Sequence, residues 1–288
     1  MPAIRFDRFA SVHLFHPLSR RTSASSVGRI PILMYHAIQE APSGGGPYYE
    51  TSTSPEVFAR HMKFLSDHGY TTITLQQAIP ALNQPLVGKR PVVLTFDDGF
   101  RSVYTIALPV MSAYGFTATV FLISGSTSDQ RAQFLGIDCL TWSEAREMQE
   151  HGMSIGSHTV THPVLATMSR SAIDEELSSS KQTIEDRLGM RVTSFSYPYA
   201  FPQADSQLVS YLAQTLALCG YQSGVSTIIG TAGPADHRYF LPRIPVNTWD
   251  DLSLFQAKLE GGYDWLRKPQ HAFKLVKRLT VAERVRGL

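Results

Sequence analysis

Cysteine is scarce in this chain of 288 residues: Cys139 and Cys219 are too few and too far apart for a disulfide framework or a zinc ribbon, and they leave the redox compartment undecided. Long hydrophobic runs are absent too, since no stretch reaches the roughly 18 to 20 apolar residues that span a membrane. The first thirty residues lack a secretory core, because Arg5, Asp7, Arg8, His13 and His16 interrupt each short apolar run. These absences favour a cytoplasmic or peripheral protein and leave export open. Nor is there an excess of either charge. The 26 Lys and Arg nearly balance 24 Asp and Glu, and a net +2 gives no reason to expect nucleic acid as a partner. Disorder is excluded by a hydrophobic fraction of 43%, enough to bury a full core.

What is present divides the chain into three parts. Residues 1–29 end in the polar run Ser19 to Ser26, which has little to bury, and are expected to form a flexible N-terminal extension. Residues 30–265 read as one domain. Residues 266–288 form a basic tail in which Arg267, Lys268, Lys274, Lys277, Arg278, Arg284 and Arg286 face only Glu283. A solvated helix end is the plain reading of that tail, and a peripheral contact with anionic lipid or polymer is the alternative.

Within the domain, strand and helix patterns alternate. Strands are expected over Ile30–Ile38, Pro91–Phe96, Thr117–Ile123, Met153–Ser157, Val192–Tyr197, Tyr221–Ser226 and Leu241–Val246. Between them, helices are marked by Ser54-Pro55-Glu56 with a stop at Gly69, by Val103 to Tyr114, by Trp142 to His151, by Ile173 to Leu188 closed by Gly189, and by Asp205 to Leu218. A glycine-rich loop, Gly44-Gly45-Gly46, follows the first strand. Such alternation predicts either a parallel α/β barrel or a doubly wound sheet. His36, Asp97, Asp98, His158 and Tyr199 each fall at or just beyond a strand's C-terminal end. In a barrel those ends converge on one mouth, whereas an open sheet would spread them along an edge, so the barrel is favoured.

Two groups of residues carry chemistry. His158 and His162 stand four apart and can point both imidazoles at one ion, and a carboxylate completes three protein ligands with open positions for water and substrate. Asp97 and Asp98 end an apolar strand rather than a polar loop. Neighbouring residues there point opposite ways, so one acid faces the ion and the other is free to act as a base.

The runs TFDDG, SHTVTHP and SYPYA, in that order, resemble the first three motifs of the polysaccharide deacetylases of carbohydrate esterase family 4, the NodB-like domain, over about Ile30 to Gly262. The resemblance implies a distorted parallel (β/α) barrel and metal-dependent removal of N- or O-acetyl groups from sugars. It further implies Asp97 as general base, Asp98, His158 and His162 as ligands of a divalent metal, usually zinc, and the backbone N–H of Tyr199 as an oxyanion donor. Two departures stand out. Where the family commonly has an arginine that contacts the base, this chain has Ser196, and Arg243 on the last strand is the expected substitute. The family's downstream Leu-x-His general acid is missing as well. His36 after the first strand resembles the permuted arrangement of poly-N-acetylglucosamine deacetylases, because a barrel closes its last strand on its first. Trp249, Tyr48, Tyr49 and Tyr199 are candidates to stack on a sugar. The resulting expectation is hydrolysis of N-acetyl groups on an N-acetylglucosamine-containing polymer or oligomer. Two rivals stand beside it: a small-molecule or cyclic-amide hydrolase on the same site, and a carbohydrate-binding protein without catalysis.

Overall fold

The computed structural model describes residues 5–22, 28–40, 46–48, 50–86, 88 and 90–273. In chain order the elements are α1 (Phe6–Ala10), a π-helical turn (Ser11–Phe15), α2 (His16–Thr22), β1 (Ile32–Tyr35), α3 (Pro55–Asp67), β2 (Thr71–Thr72), α4 (Leu75–Ala81) and β3 (Pro91–Phe96). A second π-helical turn (Val103–Ala107) leads into α5 (Leu108–Ser112), followed by β4 (Thr119–Leu122), β5 (Gln133–Phe134), β6 (Ile137–Asp138), α6 (Trp142–Glu150) and β7 (Ser154–Ser157). Then come α7 (Arg170–Leu188), β8 (Ser194–Ser196), α8 (Ser206–Leu218), β9 (Ser223–Ile229), β10 (Leu241–Pro245) and α9 (Leu252–Leu259).

Seven strands close on themselves in the order β1, β3, β4, β7, β8, β9, β10 and back to β1, and every pairing in this ring is parallel. Short β2 adds to the lower end of β3, and β5 with β6 forms a separate hairpin. The barrel of the sequence reading is therefore present, and the open sheet is not. Closure by β1 brings the end of the first strand beside the ends of β3 and β10.

Strand periodicity explains how one ring carries both a core and a site. Side chains two apart share a face. Along one face of β3 these are Val93, Thr95 and Asp97; along β10, Leu241, Arg243 and Pro245; along β1, Ile32, Met34 and His36. Each series starts apolar and carries a polar or reactive residue further on: Thr95 and Asp97, Arg243, and His36. Ile32, Val93, Leu241, Phe121 and Val225 pack as one buried cluster, joined by Leu75 and Ala78 of α4. Phe121 fits because its partner on β7 is Gly156, where a Cβ would lie 2.5 Å from the ring. The opposite faces of the strands join Phe58, Met62, Ile173, Leu177, Leu212 and Leu216 from the surrounding helices in the larger core.

Local signals account for most element ends. Ser54 caps α3 by accepting from the Val57 N–H, Ser169 caps α7 in the same way, and Gly189 ends α7 in the left-handed conformation at φ +65°. The first strand is shorter than expected: Ile30 and Ile38 make only isolated bridges, to Ala232 and Thr53. Helices α4 and α9 escaped the sequence reading. With seven and eight residues they are too short to show a clear period, and α4 contains Pro80.

The N-terminal segment needs correction. Rather than a flexible extension, residues 6–22 form a helical arm docked on the barrel. Asp7 is buried and accepts from Arg5 Nη2 at 2.7 Å, Tyr48 Oη at 3.0 Å and Tyr263 Oη at 3.1 Å. Arg8 reaches Asp251 at 2.6 Å, and His16 reaches Glu260 at 2.8 Å. Apart from Arg5, these partners lie some 40 to 260 residues away along the chain, where composition cannot reveal them. The basic tail beyond Phe273 lies outside the described residues.

One buried group gives the fold a pH response. His61 stacks on Phe255 with ring centroids 3.9 Å apart, and it bonds through Nε2 to the Asp250 carbonyl and through Nδ1 to Tyr35 Oη. Burial pushes its pKa down to about 4, against a smaller upward pull from Asp250. At neutral pH both folded and unfolded states carry a neutral imidazole. As pH falls below about 6.5 the unfolded chain takes up a proton that the folded state refuses, so stability declines towards pH 4 by about 3 kcal/mol. Urea midpoints at neutral and mildly acidic pH should separate in the wild type, and the separation should narrow in His61→Asn. An equal acid sensitivity in both proteins would remove His61 as the cause.

Candidate metal centre and active site

The mouth of the barrel is built by strand ends and by backbone turned into unusual conformations. After β3, Asp97 continues inward, while Asp98 and Gly99 adopt φ of +70° and +65° and turn the chain sharply. The positive φ at position 99 is what calls for glycine; a Cβ there would also press on the tip of the Leu122 side chain at 2.9 Å. This turn separates the two acids: Asp97 faces Arg243, and Asp98 faces the histidines.

Asp97 is 2% exposed and is gripped from the opposite side of the barrel. Arg243 Nη1 donates to its Oδ1 at 2.8 Å and Nη2 to its Oδ2 at 2.7 Å. The other donations from Arg243 go to the Ser226 carbonyl at 3.0 Å, Thr95 Oγ1 at 3.2 Å and Ser196 Oγ at 3.0 Å. Ser196 Oγ in turn donates to Asp97 Oδ1 at 3.1 Å. Ser196, in the place of the family's usual arginine, thus supports the arginine that arrives from β10. Burial opposes ionisation of Asp97, but the charges of Arg243 and His158 outweigh it and hold the carboxyl well below the usual carboxylate range.

His158 follows β7, and His162 ends a tight loop in which Thr159 and His162 have φ of +69° and +58°. The loop is held at several points. Ser124 N donates to the Thr159 carbonyl at 3.1 Å, Gly125 N to the Val160 carbonyl at 3.0 Å, and His162 N to Thr159 Oγ1 at 3.0 Å. From behind, the buried carboxylate of Glu176 on α7 accepts from Val160 N at 2.7 Å, Thr161 N at 3.0 Å and Thr161 Oγ1 at 2.6 Å. Glu176 is a positioning residue that sequence reasoning missed. Its identity becomes informative only when α7 is seen packed behind the loop.

Asp98 Oδ1 lies 3.4 Å from His158 Nε2 and 3.3 Å from His162 Nε2, and the three ligand atoms of this group are all within 4.8 Å of one another. His158 Nδ1 is bonded to the Ser196 carbonyl at 2.7 Å, which fixes the ring with Nε2 towards the cluster. Asp98 Oδ1 is buried without a hydrogen-bond partner. Burial works against a proton on His158, yet Asp97 and Asp98 raise its pKa, whereas burial and His158 push His162 down to about 4. A positive charge is thus favoured beside Asp98, whose neighbour Asp97 is already neutralised by Arg243. Two imidazole nitrogens and one carboxylate oxygen suit a divalent cation in that place.

His36 stands at the end of β1 with Nε2 4.0 Å from Asp97 Oδ2. Beside it lies a cavity of about 330 Å³, lined among others by Arg5, Tyr48, Glu50, Asn247 and Tyr263, so the helical arm forms part of its wall. Tyr199, half exposed at φ +53°, lays its ring 4.5 Å from that of His162. Phe134 of the β5–β6 hairpin approaches His162 from another side at 5.0 Å. That hairpin was not anticipated, because strands of two residues carry no periodic signal. Trp249 is half exposed on the loop after β10, where its carbonyl accepts from Arg5. Tyr48 is engaged by Asp7, while Tyr49, Gly44 and Gly45 lie outside the described residues.

Comparisons with known proteins point to one family. The family model for polysaccharide deacetylase matches residues 86–221, a span that includes the Asp-Asp and histidine motifs but neither His36 nor Arg243. YxkH of Bacillus subtilis, assigned to the polysaccharide deacetylases, is 34% identical over 240 residues, covering 81% of this chain and 77% of its own. The poly-beta-1,6-N-acetyl-D-glucosamine N-deacetylase of Staphylococcus aureus is 24% identical over 75% of this chain and 78% of its own. Among solved structures, the deacetylase PplD of Streptococcus pyogenes in complex with acetate superposes with a TM-score of 0.68 at 28% identity, covering 80% of this chain and 98% of that one. IcaB of Ammonifex degensii has the same fold, with a TM-score of 0.67 at 23% identity over 82% and 98% of the two chains. Motif order, a closed parallel barrel and a relative of this identity along most of both chains place the protein in the polysaccharide deacetylase family, the NodB-like hydrolases of carbohydrate esterase family 4.

Proposed function

We propose that this protein removes N-acetyl groups from a polymer or oligomer containing N-acetylglucosamine, with Asp97 as general base and His36 as general acid. The observation that carries the reading is the pairing of an arginine-locked Asp97 with the Asp98, His158 and His162 cluster on one side and His36, 4.0 Å away, on another. A divalent cation held by Asp98, His158 and His162, zinc being the family's usual metal, would supply Lewis-acid polarisation of the acetyl carbonyl.

The protein's own groups do the rest. Asp97, kept ionised by Arg243, accepts a proton from the attacking water. The Tyr199 N–H, which no group accepts from among the described residues, is available to the developing oxyanion. Protonated His36 donates to the leaving sugar nitrogen, so that acetate and a free amine result. The cavity beside His36 leaves room on that side for the leaving sugar. Its mixture of aromatic and polar walls suits a pyranose ring. The relatives named for poly-N-acetylglucosamine guide the choice of substrate.

Acetate release from N-acetylglucosamine oligomers by the zinc-loaded protein tests the proposal. In His36→Ala, turnover should fall by about 10² to 10⁴ while bound zinc stays at the wild-type level. Zinc-loaded wild type that releases no acetate from any such oligomer would overturn the substrate, and an active His36→Ala would overturn the acid.

A further inference from the structure

The helical arm has its polarity reversed. Its inward face is polar: Asp7 is buried among Arg5, Tyr48 and Tyr263, Ser11 Oγ accepts from the Trp265 indole at 3.1 Å, and His16 pairs with Glu260. Its outward face is mainly apolar, with Phe6 63%, Phe9 52% and Leu14 50% exposed and the exposed His13 lying against Phe9. A surface helix ordinarily turns such residues inward, and a contiguous apolar face left outside marks a surface that something covers.

We infer that this face lies on an anionic lipid surface, with the arm in the plane of the headgroups. Charge decides among the occupants. The arm's single acid, Asp7, is buried, so it presents no carboxylate outward, and its sequence continues into Arg20 and Arg21. Phe15 stacks on Trp265 at 5.0 Å, which ties the arm to the start of the basic tail, where Lys268 is exposed. From Arg267 onward the chain has seven Lys and Arg against Glu283 alone. Apolar side chains flanked by such cations are the composition of an interfacial helix. A second copy seated on this face would bring together two arms that each carry a net positive charge in sequence. The tail folded over it would likewise set positive charge on positive charge. Among the described residues no helix is long and apolar enough to cross a bilayer, so the contact is peripheral. The inference does not depend on the proposed substrate.

Co-sedimentation of the full chain with vesicles of phosphatidylglycerol and phosphatidylcholine, and with phosphatidylcholine alone, tests it. The wild type should bind the anionic vesicles, and more weakly at high salt. Phe9→Glu combined with Leu14→Glu should weaken binding by roughly a hundredfold, about one power of ten for each apolar side chain kept out of the interface. Melting should stay at the wild-type temperature. If the glutamates lower it, the pair Phe9→Ser and Leu14→Ser takes their place. Absence of binding to anionic vesicles would overturn the inference. So would undiminished binding by a stably folded double variant, which would assign the contact to the tail alone. A wild-type dimer that the double variant converts to a monomer, without vesicle binding, would assign the face to a second copy.

Discussion

Exchange of Asp97 for Asn is expected to lower acetate release by about 10² to 10⁴, the usual contribution of a positioned base. Metal affinity should stay near that of the wild type, because Asp97 turns away from the cluster towards Arg243. The same exchange should cost stability. Arg243 is 1% exposed, and two of its donations go to the carboxylate, so a neutral amide leaves a buried guanidinium without its counter-charge. Breaking a buried pair from one side costs about 3 to 5 kcal/mol, part of which the amide oxygen recovers. Denaturant melts of Asp97→Asn, Arg243→Met and the double variant would read this. The two single losses should sum to more than the loss in the double variant, because each strands the other's charge. An Asp97→Asn protein that keeps most of its turnover would place the base elsewhere.

The second large effect concerns the metal. His158→Ala or His162→Ala should abolish tight zinc binding and acetate release together, and His158→Ala should also lower the metal-free melting temperature, because it strands the buried Ser196 carbonyl. Glu176→Ala is the graded counterpart. Its carboxylate touches no ligand atom but receives three donations from residues 160 and 161, between the two histidines. Loss of such support typically weakens metal binding by about 10- to 100-fold. Turnover at saturating zinc should therefore recover in Glu176→Ala and remain absent in His158→Ala. Competition with a fluorescent chelator measures the first quantity and acetate release the second. Unchanged zinc affinity in Glu176→Ala would reduce that residue to a packing role.

Much of this was legible in the sequence wherever local chemistry determines the outcome. The apolar run Pro91–Phe96 is the strand observed, and Gly189 closes α7 as capping rules require. Asp98, His158 and His162 meet because the motif is short and strand ends in a barrel converge. Arg243 and His36 were expected from the places where the chain departs from the pattern of the family it resembles, together with the closure that a barrel imposes, and the structure puts both beside Asp97. The unread parts depend on contacts distant in sequence or on elements too short to have a period. Asp7 finds Tyr263, Glu176 finds the histidine loop and Phe134 finds His162 only once the chain is folded. The polar run Ser19 to Ser26 carries no sign of the arm before it, whose inward face is polar and whose docking rests on ion pairs.

The route by which Arg243 reaches Asp97 bears on how such sites change over time. The carboxylate lies inside a ring of seven strands, so more than one of them can extend a long cation to it. Here the cation comes from β10, and a serine on β8 bonds to both partners. A lineage can hence acquire the second arginine before discarding the first, and no ancestor along that path need have lost the charge opposite this carboxylate. Heredity in this barrel then follows a point in space, and a residue's rank along the chain is a poor guide to its duty.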